Sequence, residues 1–201
     1  MSVACFPPAK PAKMEPHEQD KHKRQMALLH SMVSSVSHST AVDAWIGGSV
    51  AVHERQYSKE KWNHGDVDLL VDAPSQKLFE RFAQKACSHV GGRLESIIES
   101  SSYSNYGPLP IKSWAKCTTD KLFAPITFMQ LTVSPAQWAQ TVFLPGAFLY
   151  KPTSFGLEWI SPPGITNAML QKRLLPNTSR SHQEYRRKYG LRGFTWAQED
   201  N

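Results

Sequence analysis

The chain has 201 residues, 40% of them apolar and 20% charged, with a net charge of +6. This is an ordinary globular composition, enough for one sizeable domain with a hydrophobic core, and its modest positive balance favours anionic partners such as nucleotides or nucleic acid. No run is long and apolar enough to span a bilayer, so no membrane partner is expected. The three cysteines (Cys5, Cys87, Cys117) lie far apart without metal spacing, which argues against a disulfide framework. With no apolar signal-peptide core at the start, the expected setting is reducing and cytoplasmic.

Residues 1–16, with four prolines and two lysines, have little to bury and read as a mobile arm. From His17 to Ser37 the spacing of Met26, Leu28, Leu29, Met32, Val33 and Val36 predicts a helix. "AVDAWI" (41–46) reads as a short strand stopped by Gly47 and Gly48. "SVAVHERQYSKEKW" (49–62) reads as a helix, with His53 and Glu54 on a solvated face. "DVDLLV" (66–71) is a strand. "PSQKLFERFAQKACSHVGG" (74–92) is the clearest helix, begun at Pro74 and Ser75 and stopped by Gly91 and Gly92. Three strands follow in "RLESIIESSSYS" (93–104), "IKSWAKC" (111–117) and "ITFMQLTV" (126–133), then a short helix in "SPAQWAQTVF" (134–143). The proline-rich 144–165 stretch reads as loop. Two basic helical segments close the chain, "GITNAMLQKRLL" (164–175) and "SRSHQEYRRKYG" (179–190). The order fits an α/β or α+β domain, a small mixed sheet flanked by helices. The divisions are an arm at 1–16, a core at 17–143, and a loop-rich, helical C-terminal part at 144–201.

The chemistry concentrates between Trp45 and Val71. Side chains alternate along a strand, so Asp66 and Asp68 share one face while Val67 points to the other. Two neighbouring carboxylates repel unless they are solvated or hold a divalent cation between them. Mg²⁺ prefers hard oxygen ligands and takes one or two carboxylates alongside waters and substrate phosphates. Upstream, Gly47, Gly48 and Ser49 join a strand to a helix. There the glycines let backbone approach a phosphate and the first helical N–H groups can hold it. Phosphate donors followed by metal ligands describe a metal-dependent nucleoside triphosphate site.

"GGS" followed by "DVDLLV" resembles the signature of the nucleotidyltransferase superfamily, which includes DNA polymerase beta, the CCA-adding enzymes and the antibiotic nucleotidyltransferases. Locally the likeness is greatest to the aminoglycoside and lincosamide nucleotidyltransferases, through Trp45–Gly48 and a histidine, His64, shortly before the aspartate pair. The likeness covers residues 40–100. It implies a nucleotidyltransferase-like core with a helical C-terminal part. It further implies Gly47, Gly48 and Ser49 at the nucleotide, Asp66 and Asp68 as catalytic metal ligands, and Mg²⁺ or Mn²⁺ as cofactor. Basic residues of the C-terminal part would meet the nucleotide, Lys172 and Arg173 first. Arg186, Arg187 and Lys188 are candidates for phosphate or nucleic-acid contact, with Tyr185 and Tyr189 packing their helix down. His64, taken by itself, reads as a surface residue.

Two departures from the family pattern matter. Sixteen residues separate Ser49 from Asp66, longer than the usual gap. The family also places a third carboxylate on a later strand, and "ITFMQLTV" offers Met129 and Gln130 instead; Asp120, Glu95 and Glu99 lie elsewhere. An amide is a poorer Mg²⁺ ligand than a carboxylate and cannot act as a base. Two functional readings follow. One is an enzyme moving a nucleoside monophosphate from ATP or another NTP to a hydroxyl on RNA, a small molecule or a protein. The other is a catalytically silent relative that binds a nucleotide, a nucleic acid or a protein partner.

Overall fold

The computed structural model describes residues 11–99, 109–141, 148–161, 163–174 and 187–196. Helix α1 (Pro16–Thr40) starts with proline in its first turn, and the Glu18 carboxylate accepts a hydrogen bond from the Glu15 N–H at 3.0 Å. It buries Met26, Leu29, Met32, Val33 and Val36 along one side and ends at Ala41, which adopts a left-handed φ of 53°. Strand β1 (Asp43–Gly47) leads into the short helix α2 (Gly48–Val52). Strand β2 (Val67–Asp72) is followed by helix α3 (Gln76–His89), whose first turn is capped by Ser75 Oγ accepting from the Leu78 N–H. Phe79, Phe82, Ala83, Ala86 and Cys87 form its buried stripe.

The remaining strands are β3 (Arg93–Leu94), β4 (Ile98–Glu99), β5 (Ile111–Thr118), β6 (Ile126–Leu131), β7 (Leu149–Thr153) and β8 (Gly156–Ile160), with helix α4 (Pro135–Thr141) after β6. Together with β1 and β2 they build one mixed sheet in the order β3-β5-β6-β2-β1-β7-β8, with β4 also on β5. Within it β2 and β6 run parallel, while the other paired neighbours are antiparallel. Val67, Leu69 and Val71 of β2 and Ile126 and Phe128 of β6 face the main core with α1, α2 and α3. Trp45, Leu70, Met129, Leu131 and Trp138 make a smaller apolar layer on the opposite face. After β8 come helix α5 (Pro163–Leu170) and a small parallel pair, β9 (Arg173–Leu174) and β10 (Thr195–Trp196).

The mixed α/β architecture is the one expected, with six local differences. In one, the helix expected over 164–175 ends at Leu170, and Arg173–Leu174 form β9. The helix expected over 49–62 is α-helical only to Val52, continues as a π-helical turn at His53–Tyr57, and ends at Ser58. There the His53 Nε2–H donates to the Glu60 carbonyl at 2.8 Å, which folds the following loop back on the turn. His53 is thereby 2% exposed, not on a solvated face. The last residues of the proposed arm pair with that same loop. Lys13 bridges Glu60, the Met14 N–H donates to the Lys59 carbonyl, and the Lys61 N–H donates to the Ala12 carbonyl.

The 144–165 stretch, expected to be loop, contains the β7–β8 hairpin. Its cross-strand pairs Leu149–Ile160 and Tyr150–Trp159 outweigh the prolines, the two aromatic rings stacking 4.6 Å apart. The single strand expected over 93–104 is two short pieces, β3 and β4, as far as it is described. Finally, α3 packs over β5 and brings Cys87 and Cys117 together, Cα atoms 5.8 Å apart, in a disulfide. Thirty residues separate them in sequence, and this packing gave the sequence reading no spacing signal.

Candidate nucleotide site

Gly47 ends β1 directly opposite Asp68 of β2 in the antiparallel ladder. The next residue, Gly48, has a φ of +63°, which side chains rarely adopt, and a Cβ there would overlap the Asp68 Oδ2 atom. Glycine is therefore required twice over, by backbone conformation and by the carboxylate lying against the turn. This close approach answers why the two motifs occur together. The Gly-Gly-Ser turn and the Asp-x-Asp strand are adjacent strands' ends, in contact through Gly48 and Asp68.

Asp66 sits one residue before β2, and the Thr127 hydroxyl donates to its Oδ2 at 3.4 Å. Asp68 is partly exposed at the strand surface, yet packed atoms enclose its carboxyl. Burial, reinforced by the neighbouring Asp66 charge and only partly offset by Lys188, pushes it up to about 7. The ionised pair is thus under-compensated by the protein's own charges. Hard oxygen donors with unbalanced negative charge are what Mg²⁺ or Mn²⁺ requires, so these residues fit a divalent cation.

Ser49, 5% exposed, shares a 3.0 Å hydrogen bond with His64 Nδ1. His64 is buried, not a surface residue, at 8% exposure. Its ring lies among His53, Phe123 and Trp62, with centroids 5.1, 5.2 and 6.2 Å away. Burial, with the nearby His53 and Arg192 charges, pushes it down to about 2, so the imidazole is neutral at any physiological pH. No feature local to the sequence marks this pairing. The sixteen-residue loop folds back through the π-helical turn to create it.

The third position is occupied differently from the sequence expectation. In the parallel β2–β6 ladder Asp68 lies opposite Thr127, so Thr127 takes the place beside the aspartates. Gln130 pairs with Val71 and donates to the Ala73 carbonyl at 3.0 Å, away from the site. Met129 belongs to the smaller apolar layer. On the next strand Lys116 lies opposite Thr127 and shares its face. Among the described residues, no third His, Cys, Asp or Glu joins the pair as a metal-binding group.

The basic candidates separate. Lys188, half-buried on a helical turn at 187–190, is within electrostatic reach of the aspartate pair. Burial and Arg192 lower its pKa, and Asp66 and Asp68 raise it. Its element is held down by Tyr189, fully buried, and by Arg192, whose Nη2 donates to the Asn63 carbonyl at 2.7 Å and which stacks 4.5 Å above the Trp62 ring. Lys172 is committed elsewhere, paired with Glu60 at 2.7 Å and lying over the Tyr57 ring. It has a positive φ of 51° in the turn after α5, not a helical conformation. Arg173 opens β9 opposite Thr195, and Arg187 is exposed. Arg186 lies outside the described residues.

No protein-family model matches the sequence, and no curated protein does. Solved structures of CCA-adding enzymes do match in fold. The complex with CTP aligns at a TM-score of 0.54 and 12% identity over 81% of this chain and 36% of that one. The complex with ATP gives 0.53, 11% identity, 83% and 37%. The Thermotoga maritima CCA-adding enzyme complexed with tRNA gives 0.52, 14%, 81% and 33%. The chain thus spans about a third of the length of these structures. At this identity the likeness shows a nucleotidyltransferase fold. The likeness of residues 45–68 to aminoglycoside and lincosamide nucleotidyltransferases remains one of sequence alone.

Proposed function

We propose that this chain binds a nucleoside triphosphate together with Mg²⁺ or Mn²⁺ and transfers its nucleoside monophosphate to a hydroxyl acceptor. The observation that carries this reading is the contact of the Asp68 carboxylate with the Gly48 backbone, which puts the expected metal ligands and the phosphate turn in one place. Asp66 and Asp68 would hold the cation, which when bound neutralises charge on the triphosphate. Gly47 and Gly48 keep side chains out of the approach path. Ser49 offers its hydroxyl to the terminal phosphates. Lys188 places a positive charge beside the same carboxylates, where pyrophosphate charge develops. In the transfer, a bond forms between the acceptor oxygen and the α-phosphorus, the bond from the α-phosphorus to the α–β bridging oxygen breaks, the acceptor's hydroxyl proton passes to solvent, and pyrophosphate leaves.

Thr127 favours the second reading. A hydroxyl stands where a carboxylate would help activate the acceptor, and its own proton is shared with Asp66. Under that reading the nucleotide binds and no transfer follows. One experiment separates the two: incubation with each α-labelled NTP, Mg²⁺ or Mn²⁺, and RNA, small-molecule or protein acceptors. Label appearing on an acceptor, and lost in Asp68→Asn, establishes transfer. Metal-dependent NTP binding without labelled product establishes the silent relative. The nucleotide and tRNA partners of the matched structures guide the choice of probes, with ATP, CTP and tRNA tried first.

A further inference from the structure

The Ser49–His64 pair sits at the site but belongs to neither the metal ligands nor the acceptor chemistry. Ser49 Oγ and His64 Nδ1 are 3.0 Å apart and share one hydrogen. Either the serine donates into the ring, or the ring N–H donates to the serine oxygen. The other ring nitrogen, Nε2, is buried and meets no hydrogen-bond partner among the described residues. If the serine donated, Nε2 would carry the ring proton as an orphaned buried N–H, the rarer and costlier situation in proteins. If Nδ1 donates, Nε2 keeps only a bare lone pair. The Ser49 hydroxyl proton is then free to be given to another acceptor.

We propose that His64 is a positioning residue that donates from Nδ1 to Ser49 Oγ and thereby commits the serine proton to a phosphate oxygen of the bound triphosphate. The inference rests on the nucleotide-site reading. It gives that site a donor for the terminal phosphates, which a monophosphate lacks, whereas a serine donating into the ring would show an anion only lone pairs. The π-helical turn and the long Ser49–Asp66 loop gain a role as well. They carry a neutral ring to the back of the serine, where the His53, Trp62 and Phe123 rings fix its plane.

The test has two arms. In the nucleotide-free wild-type protein, long-range ¹H–¹⁵N correlation spectra of His64 should show a neutral ring protonated at Nδ1. A ring protonated at Nε2 overturns the proposal. In the second arm, binding of Mg·ATP and of AMP is measured for wild type, Ser49→Ala, His64→Phe, the double variant, and His64→Asn, whose amide offers an N–H near the place of Nδ1. Each of the first two single variants should weaken Mg·ATP binding roughly tenfold, as for a hydrogen bond to a charged group. The double variant should lose no more than either, AMP binding should be unchanged, and His64→Asn should restore most of the loss. A His64→Phe variant with lowered thermal stability and undiminished Mg·ATP affinity shows a structural role and overturns the proposal. Wild-type protein that binds no triphosphate overturns the nucleotide-site reading and with it the phosphate role. The spectra, read without nucleotide, tell that failure apart from a wrong tautomer.

Discussion

At the scale of single residues, Asp68 carries the most testable electrostatics. Its carboxyl titrates near 7 in the folded chain against an ordinary value of 3.8, because burial and Asp66 disfavour its charge. A group whose folded pKa is raised contributes stability that is present below its unfolded pKa and is lost as pH rises through the folded one. The metal-free protein should therefore lose this contribution between about pH 4 and pH 7. His53 and His64 act in the opposite sense, since burial pushes them down to about 4 and about 2 and their contribution is lost as pH falls below 6.5. The readout is consequently a difference. In EDTA, Asp68→Asn should gain thermal stability relative to wild type on going from pH 5 to pH 8, and Mg²⁺ should raise the wild type alone. Parallel pH profiles for the two proteins would contradict the buried, under-compensated carboxylate. The aspartates and the glycines were legible in the sequence because strand alternation and glycine's special conformation are local properties. Ser49–His64 and Asp66–Thr127 were not, because both depend on the register of strands and loops far apart in the chain.

Among the elements, α1 was readable from apolar spacing, and α3 from apolar spacing together with the residues at its two ends. The β7–β8 hairpin was hidden by its prolines. Pro152 is tolerated because β7 meets β1 at Tyr150 opposite Ile46, two residues earlier, so among the described residues the proline lies beyond that bridge. The Cys87–Cys117 link between α3 and β5 was equally hidden, and Gly92 makes room for it. A Cβ there would lie 2.5 Å from Cys117 Sγ. Closing a loop of this length contributes about 2–4 kcal/mol. Urea unfolding with and without reductant should differ by that amount, and Cys87→Ala should abolish the difference. Identical midpoints in both conditions would show that the cysteines are not bonded in solution.

For the whole molecule, the arrangement that matters is the return of residues 187–196 to the 57–64 loop. Arg192 on Trp62, Lys172 on Glu60 and the β9–β10 pair hold residues 187–196 against that loop, which brings Lys188 within electrostatic reach of the aspartates. The family resemblance implied Lys172 and Arg173 at the nucleotide and Arg186, Arg187 and Lys188 as phosphate or nucleic-acid candidates, all on segments read as helical. Tertiary packing separates Lys172 from Lys188, and it does so through aromatic contacts that no local pattern encodes. Lys188→Met should weaken Mg·NTP binding severalfold. Charge reversal at exposed Arg187 should change stability by no more than roughly 0.5 kcal/mol. The reverse ranking of these two variants would mean that the exposed face, not the half-buried lysine, meets the ligand.

The central claim is that Gly48, Ser49, Asp66 and Asp68 form one metal-dependent nucleotide site, and calorimetric titration of a non-hydrolysable NTP analogue tests it most directly. Wild type should bind the analogue in Mg²⁺ and lose at least tenfold in affinity in EDTA. Asp68→Asn should remain folded and show the weak affinity in both buffers. Analogue binding that is indifferent to both EDTA and Asp68→Asn would contradict the account, as would a folded wild-type protein that binds no such analogue of ATP, CTP, GTP or UTP.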